Sequence, residues 1–164
     1  MDDPGVDCHP LDLAARGDAD LALLDDVERA RATRFRFDIH RDRYIAAHAG
    51  LRRVLGERLG LAPAAVRLTT TRFGKPLLDA RVHPDRSPAA RPDWGGAGPG
   101  LHGAPLHFNL THSDDVGWVA VAPFPVGVDV ECPRPFDELE PLIRSHCTPA
   151  EIAALAAQPA AARA

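Results

Sequence analysis

Lysine is nearly missing from this chain: 18 of its 19 basic residues are arginine, and the one lysine is Lys75. Cysteine is scarce as well. Cys8, Cys132 and Cys147 are odd in number and share no regular spacing, which suits reduced thiols and excludes a disulfide framework or a zinc knuckle. There is no run of ~18 apolar residues for a membrane span. The opening Met1-Asp2-Asp3-Pro4 has neither the basic nor the apolar part of a secretory signal, so a cytoplasmic protein with no membrane partner is expected. A net charge of −4 leaves no basic excess for gripping a nucleic-acid backbone, and nucleic acid is not expected as a partner. The arginine-rich, lysine-poor bias is that of a GC-rich bacterial genome. A lysine retained against it points to a place where lysine is required.

What is present is globular. The chain has 164 residues, 45% hydrophobic and 26% charged, enough to bury a core in one domain of ordinary size. From Leu21, the apolar positions Leu21, Leu24, Val27 and Phe35 predict a helix with acids and Arg29 on its other side. A longer helix is predicted over Asp38–Leu59, where Tyr44, Ala47, Leu51, Leu55 and Leu59 recur at three- and four-residue steps and Gly60 supplies the stop. Its other face is heavy in arginine. Val66 to Thr71 alternates as a β-branched strand, and Phe73-Gly74-Lys75-Pro76 reads as a turn. Residues 79–105 are rich in glycine and proline with no periodicity, which predicts a long surface loop. Leu106 to Leu110, Val116 to Ala122 and Val126 to Val130 then read as three strands, the first two joined as a hairpin. The tail reads as a helix over Phe136 to Ser145 and a second one opened by the capping box Thr148-Pro149-Ala150-Glu151, with the first ~20 residues left without periodicity. The fold class expected is α+β.

Four groups of residues could carry chemistry. Asp129 and Glu131 lie two apart on a strand and so share one face, ~7 Å apart at Cα. A hard divalent cation such as Mg²⁺ would relieve their repulsion; the plainer alternative is a solvated strand face. His112, flanked by Thr111 and Ser113 at a strand end, could hold a phosphate oxygen or move a proton, or be merely solvated. A triad of Ser113, His112 and a neighbouring Asp114 or Asp115 is disfavoured because adjacent residues seldom supply the spatial order. Lys75 on its turn, with Arg43 and its neighbours Arg41, Arg52 and Arg53 on the long helix, could form an anion cradle or a solvated face. The eight histidines show no zinc-ligand pattern.

These pieces occur in one order: an arginine-bearing helix, Gly74-Lys75-Pro76, Phe108-Asn109-Leu110-Thr111-His112-Ser113, then Gly127-Val128-Asp129-Val130-Glu131. The set resembles the 4′-phosphopantetheinyl transferase superfamily of the Sfp type over roughly Arg34 to Glu151. The resemblance implies Mg²⁺-dependent transfer of phosphopantetheine from coenzyme A to a serine of an apo acyl or peptidyl carrier protein. It further implies that Asp129 and Glu131 hold the Mg²⁺, that Arg43, Lys75 and His112 bind the nucleotide's phosphates with help from Thr111 and Ser113, and that His112 is the catalytic candidate. The family's W-x-x-K-E motif has no counterpart here, since the only lysine is Lys75. Glu151, before the position of that motif, is explained by its capping box. Family members are pseudodimers of two α+β halves. By that pattern this chain is C-terminally truncated: residues 1–124 make the first half, and 125–164 an incomplete start of the second. Impaired activity is expected. The competing expectations are a non-catalytic module binding coenzyme A or carrier protein, and one half of a split transferase.

Overall fold

A computed structural model of the chain describes residues 5–14, 18–85, 105–133 and 139–158. It is α+β, as expected. Two compact units divide at residue 131, the first Met1–Glu131 and the second Cys132–Ala164.

In the first unit the strands β1 (Asp7–Asp12), β4 (His107–Ser113) and β5 (Val116–Ala122) form one antiparallel sheet in the order β1-β5-β4. β4 and β5 are the expected hairpin. β5 is central, and most of both its faces is buried. A second ladder joins β2 (Leu68–Thr70) to β3 (Pro76–Leu78). The helices are α1 (Asp18–Leu23), α2 (Asp26–Ala32) and α3 (Asp38–Leu59). α3 has the expected limits and ends on Gly60 at φ 67, a left-handed stop that glycine adopts without a Cβ penalty. Leu51, Val54 and Leu55 of α3 pack with Val66, Leu78, Leu106, Phe108, Val119 and Val121 as the main core. Burial of each such side chain contributes ~1.5–3 kcal/mol relative to exposure. At Gly50 the helix passes so close to β1 that an added Cβ would lie 2.7 Å from Leu11 Cδ2.

Several expectations are corrected. The helix from Leu21 is two short helices, because Asp25 caps α2 in a capping box with Glu28 and interrupts the run. The opening residues contain β1, which pairs Pro10 with Trp118; an edge strand tolerates that proline and shows little alternation, so pattern alone missed it. The strand from Val66 contracts to β2, and Pro76 begins β3 instead of ending a turn. Residues 125–133 carry no strand, although their alternation survives: Val126, Val128 and Val130 are half-buried while Asp129 and Glu131 are exposed. Of the loop expected over 79–105, residues 86–104 lie outside the described residues. The described part turns around Asp79, whose carboxylate accepts from Arg81 and is pulled down to about 2 by those hydrogen bonds.

The arginines of α3 are neither a cradle nor a solvated face. Arg52 is 0% exposed, and its guanidinium donates at 2.7 Å to Glu28, to Asp25 and to the Val66 carbonyl. Arg53 pairs with Asp20, Arg58 with Asp7, and Arg41 with Asp38 and Asp42. Glu28 also meets His48 Nδ1 at 2.9 Å.

In the second unit α4 (Leu139–His146) carries an Arg144–Glu140 pair, and α5 (Pro149–Ala156) opens on the expected Thr148/Glu151 capping box. The helix expected from Phe136 is described from Leu139, and 134–138 lie outside the described residues. Cys8, Cys132 and Cys147 are unbridged. No helix among the described residues is long and apolar enough to cross a membrane.

Removing one member of a buried ion network strands the others. Arg52→Ala is therefore expected to lower unfolding free energy by ~3–5 kcal/mol in urea titration. Burial works to raise the Glu28 pKa, but bonds from His48 and the Asp25 amide, with the Arg52 charge, hold it below 4.5. A depressed folded-state pKa stabilises above the unfolded value and is lost as pH falls through the folded one. Stability should therefore decline with acid below ~4.5, and the decline should flatten in Glu28→Gln.

Candidate functional site

β4 sorts its side chains by alternation. Phe108 and Leu110 face the core under α3, and His112 follows them on that side at the strand's exit, where it is exposed. Asn109, Thr111 and Ser113 take the other face. There the hydroxyls meet the two acids: Thr111 Oγ1 donates to Asp129 Oδ1 at 3.0 Å, and Ser113 Oγ to Glu131 Oε2 at 3.4 Å. Residues two apart on β4 thus bind residues two apart on the following segment. Asp129 and Glu131 share one side, as the spacing predicted, although no strand ladder holds them.

Arg43 leaves the second turn of α3 toward the connection between β4 and β5. Its Nε donates to Asp115 Oδ1 at 2.9 Å and its Nη1 to Asp114 Oδ1 at 3.3 Å. The bond to Asp115 leads the effects that raise the Arg43 pKa further. His112 is held below the ordinary histidine value by partial burial first, then by the nearby positive potential of His48 and Arg43. His112 and Arg43 therefore occupy one neighbourhood at the exit of β4.

Lys75 stands elsewhere along the strand. Thr71 builds its turn: Thr71 Oγ1 accepts from Lys75 N at 3.1 Å, Lys75 O accepts from Thr71 N at 2.8 Å, and Gly74 takes φ 82. The ammonium acts on His107, whose pKa is lowered by burial and then by Lys75. His107 begins β4 and His112 nearly ends it, ~17 Å apart at Cα. The basic residues singled out from sequence thus act at two ends of one strand.

Sequence reasoning missed Glu28 and His48 as partners of this neighbourhood, and set Asp114 and Asp115 aside. Tyr44, His48 and Arg52 form one stripe at four-residue steps on α3. The Tyr44 and His48 rings stack 4.1 Å apart, and burial raises the Tyr44 phenol to about 12. The capping box Asp25-x-x-Glu28 was a signal available for Glu28, but nothing local tied it to α3.

Among the described residues no three of His, Cys, Asp and Glu gather as a metal-ligand group. Asp129 and Glu131 alone supply two hard oxygen donors, each with one oxygen engaged by a hydroxyl. That set fits Mg²⁺, which takes one or two protein carboxylates and fills its shell with water and substrate phosphate, and fits poorly a metal needing a closed protein cage.

Elements and side chains together define an α+β protein in which acids, hydroxyls and a guanidinium gather around one strand end. No protein-family model matches the chain. Curated relatives do. The 4′-phosphopantetheinyl transferase HetI of Nostoc sp. (strain PCC 7120 / SAG 25.82 / UTEX 2576) is 34% identical over 152 residues, covering 92% of this chain and 56% of that protein. A phosphopantetheinyl transferase of Thraustochytrium sp. (strain ATCC 26185 / S-3) is 34% identical over 139 residues, covering 79% of this chain and 41% of that one. The chain belongs to the 4′-phosphopantetheinyl transferase superfamily. It spans about half the length of the curated relatives it matches.

The electrostatics at the β4 exit are open to direct measurement. In an NMR titration the His112 ring should change protonation below pH 6.5, leaving it neutral at pH 7. Arg43→Ala should move that midpoint upward; an unmoved midpoint would separate Arg43 from His112.

Proposed function

We propose that this chain carries the coenzyme A and metal site of a 4′-phosphopantetheinyl transferase, acting on a serine of an apo acyl or peptidyl carrier protein. The observation that carries the reading is the double pairing of Thr111 with Asp129 and Ser113 with Glu131, which sets two carboxylates side by side in a chain of this family. In the reaction the serine oxygen bonds to the pantetheine-bearing phosphorus and the phosphorus–oxygen bond to adenosine 3′,5′-bisphosphate breaks. Phosphoryl transfer of this kind depends mostly on placement and neutralisation of charge.

Asp129 and Glu131 would hold Mg²⁺, which supplies neutralisation of the pyrophosphate when bound. Thr111 and Ser113 orient those carboxylates and, by family resemblance, assist with the phosphates. Arg43 and Lys75 bind phosphate oxygens, one from each end of β4. His112, neutral at pH 7, donates a hydrogen bond to a phosphate or holds a proton in transit. A group to take the serine proton is lacking from this reading, because W-x-x-K-E is absent from the sequence. Loss of a general base costs ~10²–10⁴-fold. That favours a second reading beside the first: a chain that binds coenzyme A but turns over slowly unless another chain completes the site.

Calorimetric titration with coenzyme A in the presence and absence of Mg²⁺ tests both. Metal-strengthened binding is expected, and Asp129→Ala should abolish the strengthening while leaving the fold intact; equal affinity with and without Mg²⁺ would remove the acid pair from the site. Mass spectrometry of an apo carrier protein should show little conversion by this chain alone. Rapid, complete conversion would contradict the slow-turnover reading.

A further inference from the structure

Arg43 is held in an unusual way for a residue meant to bind an anion. Two carboxylates already surround it, both from the two-residue connection of the β4–β5 hairpin, 71 and 72 residues further along the chain. Asp115 takes Nε–H and Asp114 takes Nη1–H, on different edges of the guanidinium plane. The third nitrogen, Nη2, has no protein acceptor among the described residues. The side chain is only 17% exposed, so the head group does not wander.

The connection that holds it is itself fixed. Ser113 pairs with Val116 across the hairpin, and the Asp115 carbonyl accepts from the amide of the fully buried Leu13 at 2.8 Å. Asp114 adopts φ 49, the only non-glycine residue in the left-handed region among the described residues. Glycine would occupy that position without strain, whereas an aspartate there carries a conformational cost. The carboxylate it brings reaches Arg43.

From this geometry we infer that Asp114 and Asp115 are positioning residues for coenzyme A binding: they pin Arg43 at Nε and Nη1 so that the two N–H groups of Nη2 are aimed at an incoming phosphate. The inference rests on the proposed function. It goes beyond it in assigning two acids, which by charge alone would repel the ligand, a favourable part in binding it. Pinning removes the rotamer entropy that a long arginine otherwise loses when the ligand arrives, and the connection lies next to Ser113 and His112, so the phosphate and the acid pair are addressed from one rigid turn.

A double-mutant cycle read by calorimetry with coenzyme A and Mg²⁺ decides it, using Arg43→Ala, Asp115→Ala and the pair. Arg43→Ala should weaken binding about tenfold, as loss of a charge-assisted bond does. Asp115→Ala should weaken it by a comparable factor alone and by nothing further in the Arg43→Ala background, since its effect runs through Arg43. Asp114→Gly spares the backbone and should weaken binding about threefold while leaving the thermal midpoint at or above the parent's.

Tighter binding in Asp115→Ala would overturn the inference by showing that the acids compete with the phosphate. An effect of Asp115→Ala that persists in full without Arg43 would overturn it too, as a role in folding alone. Parent protein that fails to bind coenzyme A at all would overturn the proposed function and this inference together. Parent protein that binds normally, with Asp115→Ala unchanged, would overturn this inference and leave the function standing.

Discussion

A fully buried guanidinium holds this fold in register. Arg52 sits inside α3 with no exposure and must find acceptors for its donors, because an unpaired buried charge costs several kcal/mol. The acceptors it finds come from the start of α2 and from the chain entering β2, so satisfying one residue fixes three segments at once. Such a network is poor evidence for net stability, since apolar packing of equal volume often does as well. Its consequence here is geometric. Glu28, capped and clamped, in turn holds His48, whose positive potential is felt at His112 on the neighbouring strand. The interior pairing and the exposed end of β4 belong to one electrostatic arrangement.

α3 does two kinds of work along its length. Its C-terminal half supplies Leu51, Val54 and Leu55 to the sheet, and its middle, with Ala46, Ala47, Ala49 and Gly50, is small enough to come against β1 and the N-terminal helices. Its first turns carry Arg43 to the hairpin connection. The same rigid rod that forms the core thus delivers a cation to the site, and the strand it packs on carries the hydroxyls that organise the acids. Function placed on elements packed this firmly keeps its geometry without help from a ligand.

Much of this was legible because the signals were local. Asp38 to Leu59 showed its limits through apolar spacing and Gly60, the hairpin through two alternating runs, and α5 through its capping box. The shared side of Asp129 and Glu131 followed from a period of two and held even though residues 125–133 form no strand, since side-chain alternation needs only extended backbone. The illegible parts have a common cause. β1 is an edge strand whose neighbour is the only thing that makes it a strand, and its Asp-Cys-His-Pro-Leu-Asp sequence carries no apolar alternation. The arginines of α3 looked like a surface because arginine usually is one, and their acids lie 14 to 51 residues away in sequence or on unrelated elements.

The sequence by itself determined which chemistry was at hand: a retained lysine on a glycine turn, a histidine between two hydroxyls, two acids at a spacing of two, and their order along the chain, which is the order of a family. These are properties of neighbouring residues, fixed by backbone period and side-chain type. Only the tertiary structure decided which charges are spent on each other. Arg52 is consumed inside the core, Arg43 is pinned by a turn 72 residues away, and Lys75 acts at the far end of β4 from His112. Those outcomes depend on distances between segments, and electrostatic pairing at a few ångströms is invisible until the fold has brought the segments together.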